Sequence, residues 1–122
     1  MNKFLLLSII LSFDAGLAYA GTHPIQIRDK GSVGNHSEYY PPADMPEVYY
    51  DDLNQEVIIV ADGFASYYYV EIFQTEYTIP VISTQIDGYG DNIDISSLSE
   101  GYYTIIITSS NNNEFEGSFY IE

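Results

Sequence analysis

Cysteine is absent from the 122 residues, and lysine and arginine together number only three. Each scarcity excludes something. Without cysteine there is no disulfide framework, no thiol nucleophile, and no attachment point for the lipid that anchors bacterial lipoproteins. A hydrophobic core must then supply the stability unaided. Three cations against 18 acidic residues give a formal net charge of −15. Such a surface repels nucleic acid and anionic membranes, and leaves counter-ions or cationic partners as its charged company. The same charge keeps a secreted, tyrosine-rich protein soluble and apart from its copies.

Catalytic motifs are missing as well. There is no H-E-x-x-H, no nucleophile elbow and no phosphate-cradling glycine loop. His23 and His36, the only histidines, both fall in an irregular N-terminal stretch. His36 stands beside Ser37 and Glu38, but triads are made by geometry and not by adjacency. Nothing singles out a carboxylate pair for glycoside hydrolysis among the acids. The expectation is a non-catalytic protein.

What is present begins with Lys3, an apolar run at residues 4–13, and small residues ending Ala18-Tyr19-Ala20. That is the order of a cleavable secretory signal peptide at residues 1–20, and the run is too short for a membrane span of about 20 residues. No later stretch is long and apolar enough to span a membrane either. Lys3 and Asp14 leave together, so the net charge is unchanged by cleavage. About a hundred residues remain, enough for one domain with its own core. The expected destination is the periplasm or the medium, with no lipid anchor.

Residues 21–46 read as an irregular segment with a short edge strand at 24–27 (PIQI) and a loop at 30–37 (KGSVGNHS); Pro41-Pro42 cannot join a ladder. The β-sandwich proper is expected over residues 47–122, with 21–46 packed on it. Strands are expected at 47–50 (EVYY), 56–61 (EVIIVA) and 67–73 (YYYVEIF). Residues 77–86 are expected to fold back on the last of these as a hairpin partner, with Pro80 marking an edge or a bulge. A loop follows at 87–92, then the alternating Ile93-Asp94-Ile95. Residues 101–108 (GYYTIIIT) form the longest β-favouring run without charge or proline, as a central strand would. Residues 115–121 alternate cleanly. No stretch keeps a 3.6-residue apolar period. About seven short strands with frequent turn signals give an all-β fold, an antiparallel immunoglobulin-like β-sandwich.

The order of these parts resembles a domain-of-unknown-function family of small secreted immunoglobulin-like proteins found in gut Bacteroidetes. The resemblance lies in Ile25-Gln26-Ile27, the loop with Asn35-His36-Ser37, the strand at 56–61, Tyr68-x-Val70-x-Ile72, Leu98-x-x-Gly101-x-Tyr103-x-Ile105-x-Ile107 and Gly117-x-Phe119-x-Ile121. The C-terminal sorting domains of the Bacteroidetes secretion system share the L-x-x-G-x-Y motif, but they usually end in basic residues, where this chain ends Tyr120-Ile121-Glu122. The family implies that strands 67–73, 101–108 and 115–121 lie side by side. Tyr68, Val70, Ile72, Tyr103, Ile105, Ile107, Phe115, Phe119 and Ile121 would then face inward. Tyr67, Tyr69, Glu71, Tyr102, Thr104, Ile106, Glu116, Ser118 and Tyr120 would face outward.

Two candidate sites follow. The outward face offers Tyr67, Tyr69, Tyr102, Ile106 and Tyr120 as a partner-binding surface for protein or glycan, since tyrosine gives large, rigid, amphipathic contact area. Tyrosine's strand propensity is the purely structural reading of the same residues. The second candidate is Asp87, Asp91, Asn92 and Asp94, clustered oxygens on a glycine-bearing loop of the kind Ca²⁺ takes; no other cofactor is indicated. The sequence thus leads to a binding or adhesion module. The alternative is a structural or export-accessory domain of a cell-envelope assembly, with open edges for strand addition.

Overall fold

A computed structural model describes residues 21–30 and 40–122. The signal-peptide reading and His36 lie outside the described residues. Nine strands are described: β1 (Thr22–Ile25), β2 (Ile27–Asp29), β3 (Glu47–Asp51), β4 (Glu56–Val60), β5 (Tyr67–Gln74), β6 (Ile82–Asp87), β7 (Gly90–Asp94), β8 (Gly101–Ser109) and β9 (Glu114–Ile121). They form a four-stranded sheet in the order β1-β3-β4-β7 and a five-stranded sheet in the order β2-β9-β8-β5-β6. Every pairing is antiparallel. Set β1 and β2 aside, and three strands face four, which is the seven-strand sandwich the sequence predicts. Among the described residues no helix is long and apolar enough to cross a membrane.

The GYYTIIIT run is the middle strand of the larger sheet, between β5 and β9. Its period of two sorts the side chains. Tyr103, Ile105 and Ile107 are almost fully buried, together with Tyr68, Val70 and Ile72 of β5 and Phe115, Phe119 and Ile121 of β9. The outward set of these three strands is exposed or half-buried throughout. Val48, Tyr50, Val57, Ile59 and Ile93 of the smaller sheet close the core from the other side.

Two buried tyrosines keep their hydroxyls bonded, as burial demands. The Tyr103 hydroxyl donates to the Ser99 carbonyl at 2.7 Å, reaching back four residues across the entry to β8. This is a tyrosine corner of immunoglobulin-like sandwiches, and it explains the L-x-x-G-x-Y spacing. The Tyr68 hydroxyl donates to the Asp44 carbonyl at 2.7 Å.

Residues 21–30 hold two short strands where one edge strand at 24–27 is expected. β1 adds to the edge of β3, the chain crosses at Gln26, and β2 adds to the edge of β9. One strand thus belongs to both sheets and covers one side of the sandwich. Its passage requires Gly117, where a Cβ would stand 2.8 Å from Ile27 Cγ2 and 2.9 Å from the Gln26 carbonyl oxygen. The hairpin partner of β5 needs correction. Pairing starts only at Ile82, and residues 75–81 form a connection turned by Glu76 at φ +80°. Pro80 belongs to that connection and lies outside the strand, because it has no N–H to give a ladder.

Candidate functional site

The register of the five-stranded sheet fixes where the outward side chains lie. Across β5, β8 and β9, Glu71 stands opposite Ile106 and Ile106 opposite Glu116; Phe73 stands opposite Thr104, and Tyr102 opposite Tyr120. Tyr69 stands opposite Thr108. Thr108 and Tyr102 are six residues apart on one strand, about 20 Å at strand rise. The five residues expected as one surface are therefore divided. Tyr67 and Tyr69 occupy one end of the face, Tyr102 and Tyr120 the other, and Ile106 lies between.

The Tyr102 end gathers more than the sequence indicated. Tyr102 and Tyr120 meet edge to face, with ring centroids 4.6 Å apart. The Tyr120 hydroxyl donates to Glu100 Oε2 at 3.2 Å, and that bond raises its pKa above the ordinary tyrosine range. Beside this pair the connection after β5 is held by Thr75 N–H donating to the Tyr102 carbonyl at 3.0 Å. The tethered connection holds Tyr77, 66 % exposed, at the margin of the sheet face; it also carries Ile79, 77 % exposed. Phe73, Tyr77, Thr104 and Ile106 line a shallow hollow of about 320 Å³, closed by Gln74, Glu76 and Thr78. On the other side of the turn, Gln74, Thr75, Glu76, Tyr77 and Tyr102 line a second hollow of about 320 Å³. Phe73, Tyr77 and Ile79 were not singled out by sequence reasoning. The signal available for Tyr77 and Ile79 was Pro80, whose missing N–H disfavours a regular ladder there.

The acidic stretch has a different structure from the loop expected of it. Only Gly88 and Tyr89 form a turn, and residues 90–94 are β7, paired with β4. Its glycines serve close backbone approach. A Cβ at Gly88 would lie 2.1 Å from the Ala65 carbonyl oxygen, and one at Gly90, where φ is +102°, 2.0 Å from that of Ile59. One oxygen of each of the three carboxylates is used locally. Asp87 accepts from Tyr89 N–H at 2.7 Å, Asp91 from Asn92 N–H at 2.8 Å, and Asp94 from Ser96 N–H at 2.9 Å. The last bond holds Asp94 below the usual carboxylate range. The Asn92 amide donates to Glu56 Oε1 at 3.2 Å. Successive strand residues point to opposite faces, so Asp91 departs from the side opposite Asn92 and Asp94. Among the described residues no three acidic or histidine side chains are grouped to hold a metal.

His23 is engaged structurally, with Nε2 2.8 Å from Asp52 Oδ2 and its ring 5.9 Å from that of Tyr50. The cations are engaged too. Arg28 meets Glu116 at 3.3 Å, and Lys30 meets Glu114 at 3.3 Å and Glu116 at 3.8 Å. Arg28 and Lys30 thus stand together over the β2–β9 edge.

No family model and no curated protein matches the chain. Among solved structures it is similar to the crystal structure of a DUF3244 family protein from Bacteroides vulgatus, which has an immunoglobulin-like β-sandwich fold. The two are 13 % identical with a TM-score of 0.63, over 83 % of this chain and 99 % of that one. The chain therefore has an immunoglobulin-like β-sandwich fold, as the strand pattern predicts.

Proposed function

We propose that this is an exported, non-catalytic binding or adhesion module, with its contact surface at the Tyr102 end of the five-stranded sheet. One observation carries the reading: Tyr77 and Tyr102, which line one hollow, and Ile79 on the same connection as Tyr77 are each about two-thirds exposed or more. An exposed aromatic and aliphatic patch beside shallow hollows favours a macromolecular partner over a small enclosed ligand. Tyrosine suits such a surface because it loses little conformational entropy on contact. Export to the periplasm or beyond is supported by the order of residues 1–20, and the lack of cysteine leaves no site for a lipid anchor.

Among the described residues β6 and β7 each pair on one side only, which favours a second reading, an accessory domain that joins a cell-envelope assembly by strand addition. Affinity capture from the host's envelope and culture medium separates the two. A contact module loses its partner when Tyr77 and Tyr102 are both changed to serine, with the fold retained and the thermal midpoint lowered only by the loss of the Tyr102–Tyr120 ring contact. Capture that survives this double variant and is lost when β6 carries proline at Gln85 selects the accessory domain.

A further inference from the structure

We infer that the surface at the Tyr102 end takes a cationic, extended peptide segment, with lysine or arginine side chains lying over its tyrosines. The inference rests on the contact-surface reading above and adds the partner's chemistry.

The first argument is charge. Arg28 and Lys30 are already committed to Glu114 and Glu116 on β9. At the aromatic end, the carboxylates are not neutralised in this way. Glu76 borders both hollows. Glu100 accepts from Tyr120, whose ring packs against Tyr102. Glu71 stands opposite Ile106, which lines the first hollow. Among the described residues none of these three carboxylates has an ion-pair partner, and the whole chain carries −15. An anionic partner would be repelled, while a cationic one is steered in.

The second argument is shape and side-chain chemistry. The two hollows share Gln74, Glu76 and Tyr77, so they form successive shallow seats around one turn. Lysine and arginine carry an apolar stem and a charged head. The stem fits over Phe73, Tyr77 and Ile106, and the head reaches Glu76 or Glu71. The exposed ring of Tyr102 offers a cation–π face beside the Glu100 carboxylate. A neutral glycan would use the rings but leave the carboxylates uncompensated, so the cation is the better occupant.

The test is an amide-shift titration of the isotopically labelled mature protein with the peptide Ac-(Lys-Thr)₃-NH₂, which is about 20 Å long when extended. A version acetylated on every lysine and a set of neutral hexaoses are run alongside. The expected result is shifts concentrated at residues 74–78 and 102–106. Affinity should fall several-fold between about 20 mM and 300 mM NaCl, and about tenfold in the Tyr77→Ser/Tyr102→Ser protein. The acetylated peptide should not bind. Shifts spread evenly over the acidic strands, Asp91 and Asp94 included, would reduce the effect to counter-ion attraction and overturn the inference. Hexaose shifts at residues 74–78 and 102–106 without peptide shifts would overturn the cationic partner and leave the contact surface standing. Silence from every probe there would also overturn the cationic partner, while the capture experiment above judges the surface by itself.

Discussion

Asp44 is a buried carboxylate whose environment has been built for its charge. Its Oδ1 accepts from the Asn113 amide at 3.0 Å, its Oδ2 from the Asn111 amide at 3.0 Å, and Ser109 adds a third donor. Burial by itself would raise its pKa, but the bonds from Ser109, Asn111 and Asn113 outweigh it and hold the group below the usual carboxylate range. The Tyr68 hydroxyl on the Asp44 carbonyl is pushed the other way, to about 12, by burial and then by the nearby Asp44 and Asp62 charges. Asp44 thus ties the segment before β3 to the β8–β9 turn. Its folded pKa lies below the unfolded value of about 3.9, so it contributes stability that is complete above that range and lost as pH falls through the folded value. Replacing Asp44 with alanine removes bonds to a charged acceptor, worth about 2–3 kcal/mol in sum, or roughly 10 °C of thermal midpoint at neutral pH. Thermal melts of both proteins from pH 7 to pH 3 should show the gap narrowing only below about pH 4. A gap that stays constant to pH 3 would mean that the carboxylate charge contributes nothing.

At the scale of elements, the strand that crosses between sheets makes the sharpest prediction. Gly117 lies opposite Ile27 on β2 and Ile105 on β8. A methyl group there would meet Ile27 Cγ2, the Gln26 carbonyl oxygen and Ile25 Cγ2, all within 3.0 Å. Overpacking of this kind costs about 1–3 kcal/mol. Backbone cannot yield as a side chain can, so the relief should come from β2. Gly117→Ala should accelerate amide exchange about tenfold or more at residues 27–30, where Lys30 N–H donates to the Glu114 carbonyl at 2.8 Å. The β5–β8 ladder should be unaffected, and equal acceleration in both places would refute the local account. The same crossing shows what was legible in the sequence. Facing was legible, because alternation depends only on neighbours two residues apart, and all nine inward residues of β5, β8 and β9 are buried. The change of sheet at Gln26 was not, because it depends on a glycine far along the chain. The candidate surface was half legible. Tyr102 and Tyr120 announced themselves by alternation, whereas Tyr77-x-Ile79-x-Val81 alternates like a strand and is in fact the turn that completes the patch. The acidic stretch reads as a loop for a related reason: its glycines look flexible, but they admit the backbones of Ala65 and Ile59 and residues 90–94 form a strand.

For the whole molecule, the governing quantity is the placement of charge. Arg28 and Lys30 cluster on the β2–β9 edge, and the other described acids are spread over both sheets and their turns, so most of the −15 acts as self-repulsion that folding concentrates. The ion pairs on that edge are largely exposed and contribute at most about 1 kcal/mol each. Screening should therefore relieve more repulsion than it removes attraction. Raising NaCl from about 10 mM to 0.15 M shortens the Debye length from about 30 Å to about 8 Å. Relief on the order of 1 kcal/mol should raise the thermal midpoint by about 4 °C or more. Divalent cations screen more strongly, and with one oxygen each of Asp87, Asp91 and Asp94 accepting a local N–H and no metal-holding group of acids or histidines among the described residues, Ca²⁺ and Mg²⁺ at equal concentration should raise it equally. A midpoint lowered by NaCl would show that attraction on the β2–β9 edge outweighs the repulsion. A rise with Ca²⁺ that Mg²⁺ does not match would show coordination by a site of the larger ion's geometry.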